Sequence, residues 1–164
     1  LTGYYAIGEK IANVFQTFPL ESLSQAIYPR LNSIFAKNKR RAFNLMNRIQ
    51  DSTTLIFIIV IPIAMLAAPL IVRVVCGSNC PEIILTLRVL LVGVFFVVIN
   101  AFRIQFLLVW GKAKAYSKIH VIAALIGLPL IFVSILYYSY LGAALSTVVI
   151  EAGILLATLK FIKE

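Results

Sequence analysis

Residues 119–150 contain no Asp, Glu, Lys or Arg, a run of 32 residues in which His120 is the one basic side chain. An α-helix rises about 1.5 Å per residue, so about 20 residues cross the hydrocarbon core of a bilayer. The run is too long for one crossing and too apolar for a helix in water. Its middle, Tyr137-Tyr138-Ser139-Tyr140-Leu141-Gly142, combines interfacial aromatics with small residues, which predicts two helices meeting at a membrane surface.

Composition agrees, at 62% hydrophobic and 13% charged residues with mean hydropathy +1.00. Soluble domains lie nearer about half apolar and a quarter charged. The expected fold class is an all-α polytopic membrane bundle filling residues 1–164, with about five spans at 4–35, 43–75, 81–110, 115–136 and 142–161. Pro62 and Pro69 inside the second span remove backbone donors and are expected kink points. The start Leu1-Thr2-Gly3-Tyr4-Tyr5 lacks both an initiator Met and the basic leader of a signal peptide. The expectation is a piece of a longer protein.

Charge location explains the net +9. Lys37, Lys39, Arg40, Arg41 and Arg48 gather around the first connection, Lys112, Lys114 and Lys118 around the third, and Lys160 and Lys163 at the end. The second connection, Gly77-Ser78-Asn79, and the fourth carry no basic residue. Basic and non-basic ends alternate as the positive-inside rule requires. The first helix is expected to enter from outside, with the C-terminus cytoplasmic, and no nucleic-acid partner is needed to explain the charge.

Ionisable groups at membrane depth are costly and mark cavities or partner helices. Lys10, Asn13, Thr17, Glu21, Ser24 and Tyr28 recur at spacings 3, 4, 4, 3 and 4, so they fall within a fan of roughly 80° on one helix face. A Lys and a Glu in one stripe favour a wetted cavity over a seam closed by interhelical hydrogen bonds. Arg103 lies about two turns inside the inner end of the third span, one turn after Asn100. Its planar, permanently charged fork suits phosphate oxygens. Arg88 near the outer end and Arg30 near the inner end are either further cavity cations or interfacial anchors. Thr147, Glu151 and Thr158 share a face of the fifth span. Glu151, like Glu21, is a candidate for ion coupling or for the counter-ion of an arginine. His120 reads as an interfacial residue. Cys76 and Cys80 flank a short outer loop where a disulfide is possible in an oxidising compartment, two free thiols being the alternative. One His and two Cys offer neither a metal site nor a nucleophilic triad, and no glycine-rich phosphate loop is present. The chain is not expected to be an enzyme.

Gly3-Tyr4-Tyr5-Ala6-Ile7-Gly8-Glu9-Lys10, followed by Gln25-Ala26-Ile27-Tyr28-Pro29-Arg30-Leu31, resembles the polysaccharide-biosynthesis (O-antigen) flippases of the multidrug/oligosaccharidyl-lipid/polysaccharide (MOP) exporter superfamily. Leu87-Arg88-Val89-Leu90, Leu107-Leu108-Val109-Trp110-Gly111-Lys112 and Leu141-Gly142-Ala143-Ala144-Leu145-Ser146-Thr147 are similar to later segments of the same family, in the same order. Trp110 and Lys112 depart from it, standing where the family often has Ala or Gly and Arg. The resemblance implies the C-terminal bundle of a MATE-like transporter in the cytoplasmic (inner) membrane. That protein would move an undecaprenyl-diphosphate-linked oligosaccharide between leaflets by alternating access. Implied diphosphate contacts are Arg103 and Lys10, then Arg88 and Arg30. Asn13, Thr17, Ser24 and Tyr28 would meet sugar hydroxyls. No cofactor is implied beyond coupling to H+ or Na+. Implied partners are the lipid-linked oligosaccharide, membrane lipid, the preceding helices of the same protein and the polysaccharide polymerase machinery. Alternatives are a multidrug exporter of the same superfamily and a small membrane scaffold that transports nothing.

Overall fold

The computed structural model describes residues 2–163, with side chains at all positions but 2, 18, 19, 22–24, 26, 28, 106 and 160–163. All of its regular structure is helical: α1 (Thr2–Lys37), α2 (Lys39–Cys76), α3 (Pro81–Val109) and the stretch Ala113–Lys163. That last stretch breaks at Ser139, where φ 52° and ψ −130° are far from helical. Its two arms are α4 (residues 113–138) and α5 (residues 140–163). They run antiparallel, since Gly127 lies against Ile150 and Gly142 against the Ser134 carbonyl. The expected fourth connection is thus a reversal at one residue, and α5 starts two residues before Gly142.

Each helix end has a local cause. Asn38 is the one residue between α1 and α2. It is extended, and its Oδ1 accepts from the Arg41 N–H at 3.1 Å as an N-cap. Gly77, at φ 69°, closes α2 by donating to the Arg73 carbonyl at 3.0 Å. Gly111, at φ 72°, closes α3 with two bonds, its own N–H to Leu108 and that of Lys112 to Leu107. Both need the left-handed conformation that glycine adopts without strain. Pro81 at the first position of α3 gives up an N–H that no helix would use.

α3 is the central helix. Ile83, Leu87, Leu91, Val94, Val98 and Phe102 are buried along it, with Thr86 and Asn100 buried beside them. α2 buries one stripe, Phe57, Ile61, Ala64, Ala68 and Val72, spaced three or four apart. Its other face is apolar yet exposed: Leu55, Ile59, Ile63, Leu66, Leu70 and Val74 are all more than half accessible. α4 exposes Val121, Leu125, Leu128, Phe132 and Leu136 in the same way. A bundle wrapped in leucine and isoleucine is matched to hydrocarbon, not to water.

Among the described residues, three stretches are long and apolar enough to cross a membrane: α2, α3 and Ala113–Leu159, the last folded back on itself. α1 falls outside that group, being studded with Glu9, Lys10, Asn13, Gln16 and Glu21. At one end of the bundle Trp110 packs on Phe35 and Phe43, with ring centroids 6.4 and 6.0 Å away, joining the ends of α1 and α3 to the start of α2. The basic residues of the first and third connections therefore gather at one end of the molecule.

Candidate functional site

Among the described residues, three polar sites interrupt the apolar bundle. A cleft of about 240 Å³ opens between α1, α3 and α5. Tyr5, Glu9, Asn13 and Gln16 enter it from one face of α1, and Thr147 and Glu151 from α5. Leu90, Gly93, Val94 and Val97 of α3 complete its lining. Thr147 donates its hydroxyl to the Ala143 carbonyl at 3.0 Å, so its oxygen lone pairs are what it offers the cleft. Glu151 is held by Asn100 of α3, whose Nδ2 donates to the Glu151 backbone carbonyl at 2.9 Å and to Oε2 at 3.0 Å. Asn100 is 2% exposed, and its Oδ1 has no partner among the described residues.

Arg103 marks the second site, one turn further along α3. The Gln50 side-chain amide of α2 faces the guanidinium. With its oxygen turned inward it accepts from Nε at 2.8 Å and from Nη2 at 3.1 Å. Nη1 is buried and has no partner among the described residues. The guanidinium thus keeps one nitrogen without a hydrogen bond, and an anion reaches it only where the packing over it opens.

The third site lies at the α1–α2 corner. Arg30, Lys37, Arg41 and Arg48 line a cleft of about 410 Å³ with Asn38 and Asn44.

Arg88 has another employment. Its Nε donates to the Met65 carbonyl at 3.1 Å. In an unbroken helix that carbonyl would accept from residue 69, which is Pro69 and has no N–H. The Pro69 position leaves an orphan acceptor in the bilayer, and Arg88 satisfies it across the α2–α3 interface.

The structure separates residues that sequence spacing grouped together. Lys10, Thr17 and Glu21 are exposed on the outer flank of α1, while Asn13 on the same stripe also borders the α1–α3–α5 cleft. The Ser24 and Tyr28 side chains lie outside the described residues. Gly8 packs on Thr86 and Leu87, so Lys10 is level with Arg88. Arg103 lies 15 residues further along α3, about 22 Å down the axis. Lys10 and Arg103 therefore do not meet at one point. Glu151 meets an amide, and Thr158 is buried with its hydroxyl on the Leu155 carbonyl. His120 contacts its own helix through Tyr116. Cys76 and Cys80 are free thiols at the two ends of the α2–α3 turn, with Cys80 Sγ 3.5 Å from Ser78 Oγ. Among the described residues no group of three metal-ligating side chains occurs. Glu9, Gln16 and Gln50 escaped the sequence reading. Glu9-Asn13-Gln16 is itself a 4, 3 stripe, rotated by about 80° from the Lys10 stripe and sharing Asn13 with it.

An all-helical bundle with a lipid-matched exterior and polar sites between its helices is an integral membrane protein. The chain is 26% identical over 163 residues to a protein of Escherichia coli strain K12 named "Putative O-antigen transporter". That match covers 99% of this chain and 39% of the relative, so the chain spans well under half of the relative's length. No family model and no solved structure matches the chain.

Proposed function

We propose that this bundle is one wall of the translocation cavity of a lipid-linked oligosaccharide flippase of the MOP superfamily. In that reading an undecaprenyl-diphosphate-linked O-antigen unit crosses the cytoplasmic membrane by alternating access. The observation that carries the reading is the flank of α1. Lys10, Asn13, Thr17 and Glu21 are exposed on the outside of α1, whereas the exposed faces of α2 from Leu55 to Leu70 and of α4 from Val121 to Leu136 are apolar. A polar flank in hydrocarbon is unfavourable, so it calls for a second polar wall with water between the two. The likeness to an O-antigen transporter supports the same cargo class.

The cargo presents a diphosphate and a hydrated glycan to a medium that solvates neither. Hydroxyls and amides along the α1 flank replace water for the sugar. Cations at two depths, Lys10 near one end and Arg103 near the other, give the diphosphate successive stations. Arg103, once the packing over its buried Nη1 opens, is the group for phosphate at the inner station. Glu9 and Glu151 in the α1–α3–α5 cleft suit a coupling H+ or Na+, held beside the Asn13 and Gln16 amides. Two carboxylates in one cleft also suit a cationic cargo, which is the specific feature favouring a multidrug exporter. The C-terminus lies on the cytoplasmic side, where the basic connections gather.

The experiment compares Arg103→Ala with Arg103→Lys in the full-length protein, reading surface glycan at matched protein levels. The Ala variant is expected to lose export by about tenfold or more, and Lys to retain part of it. Unchanged export with Ala would remove Arg103 from the cargo path. Glycan export intact in both, with altered tolerance to cationic dyes, would favour the multidrug exporter.

A further inference from the structure

The α1–α2 corner concentrates positive charge in one place. Residues 22–50 hold six cations, Arg30, Lys37, Lys39, Arg40, Arg41 and Arg48, and no carboxylate. Membrane orientation accounts for basic residues at this end of the chain, but not for which of them share one cleft. Here four of the six, from two different helices, line a single cleft with Asn38 and Asn44, and among the described residues no carboxylate lines it. Lys39 instead has its Nζ 5.7 Å from the Phe35 ring centroid, and neither it nor Arg40 borders the cleft.

The fold brings these groups together by its shortest connection. Only Asn38 separates α1 from α2, so the last two turns of one helix and the first of the other lie side by side. The cleft also lies beside the N-terminus of α2, where the helix dipole adds positive potential. Like charges held this close repel, and a bound polyanion relieves the repulsion. The corner sits at the same end as the Trp110, Phe35 and Phe43 cluster, an aromatic group of the kind found at headgroup level.

We infer that this cleft binds the phosphate headgroup of an anionic lipid at the cytoplasmic membrane surface. Basic pockets between membrane helices on that side recognise such headgroups. Arginine forks supply paired N–H donors to phosphate oxygens, and Asn44 offers an amide to the rest of the headgroup. The inference requires a membrane but no particular cargo. Arg103 and the α1 flank play no part in it, so it stands or falls separately from the flippase reading.

The test is native mass spectrometry of the full-length protein in mixed micelles, counting retained phosphatidylglycerol against phosphatidylcholine. Two paired variants remove the same charge from the same segment: Arg30→Gln with Arg48→Gln inside the cleft, and Lys39→Gln with Arg40→Gln outside it. The cleft pair should retain about tenfold less phosphatidylglycerol, and the outside pair should match the parent. Arg30→Lys with Arg48→Lys, which keeps the charge, should recover part of the loss and shows that the fold is intact. A second arm replaces phosphatidylglycerol with farnesyl diphosphate. Cleft-dependent retention of the phospholipid assigns the site to bulk anionic lipid, and retention of the prenyl diphosphate alone assigns it to a lipid-linked cargo. Equal losses in both variant pairs, or no loss in either, would overturn the inference.

Discussion

At the scale of single residues, Arg88 shows how a charged side chain can be structural at membrane depth. From sequence, position 88 reads as a cavity cation or an interfacial anchor, because nothing local reveals that Pro69, on another helix, strips the Met65 carbonyl of its donor. The pairing joins residues 23 apart and is visible only once α2 and α3 are docked. Arg88→Met is therefore expected to cost about 1–3 kcal/mol, the price of an orphaned buried acceptor. In a Pro69→Ala background residue 69 regains an N–H for Met65, and the same Arg88→Met change should cost markedly less. Thermal unfolding of the four proteins in detergent closes the double-mutant cycle. Additive effects would show that Arg88 does not serve this carbonyl. Asn100 makes a similar case: its donors hold Glu151, so Asn100→Leu should destabilise by about 1–3 kcal/mol, and pairing it with Glu151→Gln should recover part of the loss.

At the scale of elements, the helices were largely legible and their junctions less so. Charge-free runs and basic connections are long-wavelength signals; they set the expected second and third spans at 43–75 and 81–110, and the helices there run Lys39–Cys76 and Pro81–Val109. The reversal between α4 and α5 was visible as a cluster of tyrosines and small residues, but its position was not. The backbone turns at Ser139, in a region of φ and ψ that glycine normally occupies, while the nearby glycine, Gly142, serves a different need. A Cβ at Gly142 would overlap the Ser134 carbonyl, so this residue lets the two arms approach. Two opposite outcomes follow from thermal melts. Ser139→Gly should stabilise by about 1 kcal/mol by relieving the positive φ. Gly142→Ala should destabilise by about 1–3 kcal/mol through overpacking. Gly153→Ala, in the same arm but facing open space, should be neutral or slightly stabilising. If Gly142→Ala behaves like Gly153→Ala, the close approach of the arms is not as described.

At the scale of the whole molecule, the exterior divides into two kinds of surface with different partners. The exposed faces of α2 from Leu55 to Leu70 and of α4 from Val121 to Leu136 are apolar and complete as they stand against lipid. The α1 flank is the exception. Periodicity placed Lys10, Asn13, Thr17 and Glu21 on one face, but only the docked bundle tells that this face points outward, because burial depends on which neighbours α1 finds. If the flank lines a water-filled cavity against further helices, the 164-residue bundle alone exposes it to detergent tails. The isolated bundle should then associate non-specifically, and Lys10→Leu with Thr17→Leu should make it more monodisperse by light scattering and raise its melting temperature. In the full-length protein the same pair should leave protein levels unchanged and lower glycan export, because the cavity wall loses a cation and a hydroxyl. The opposite pattern, an isolated parent bundle already monodisperse and a full-length variant that exports normally, would mean that α1 faces lipid after all. In that case the exposed lysine must snorkel to the interface and the cavity must be built elsewhere.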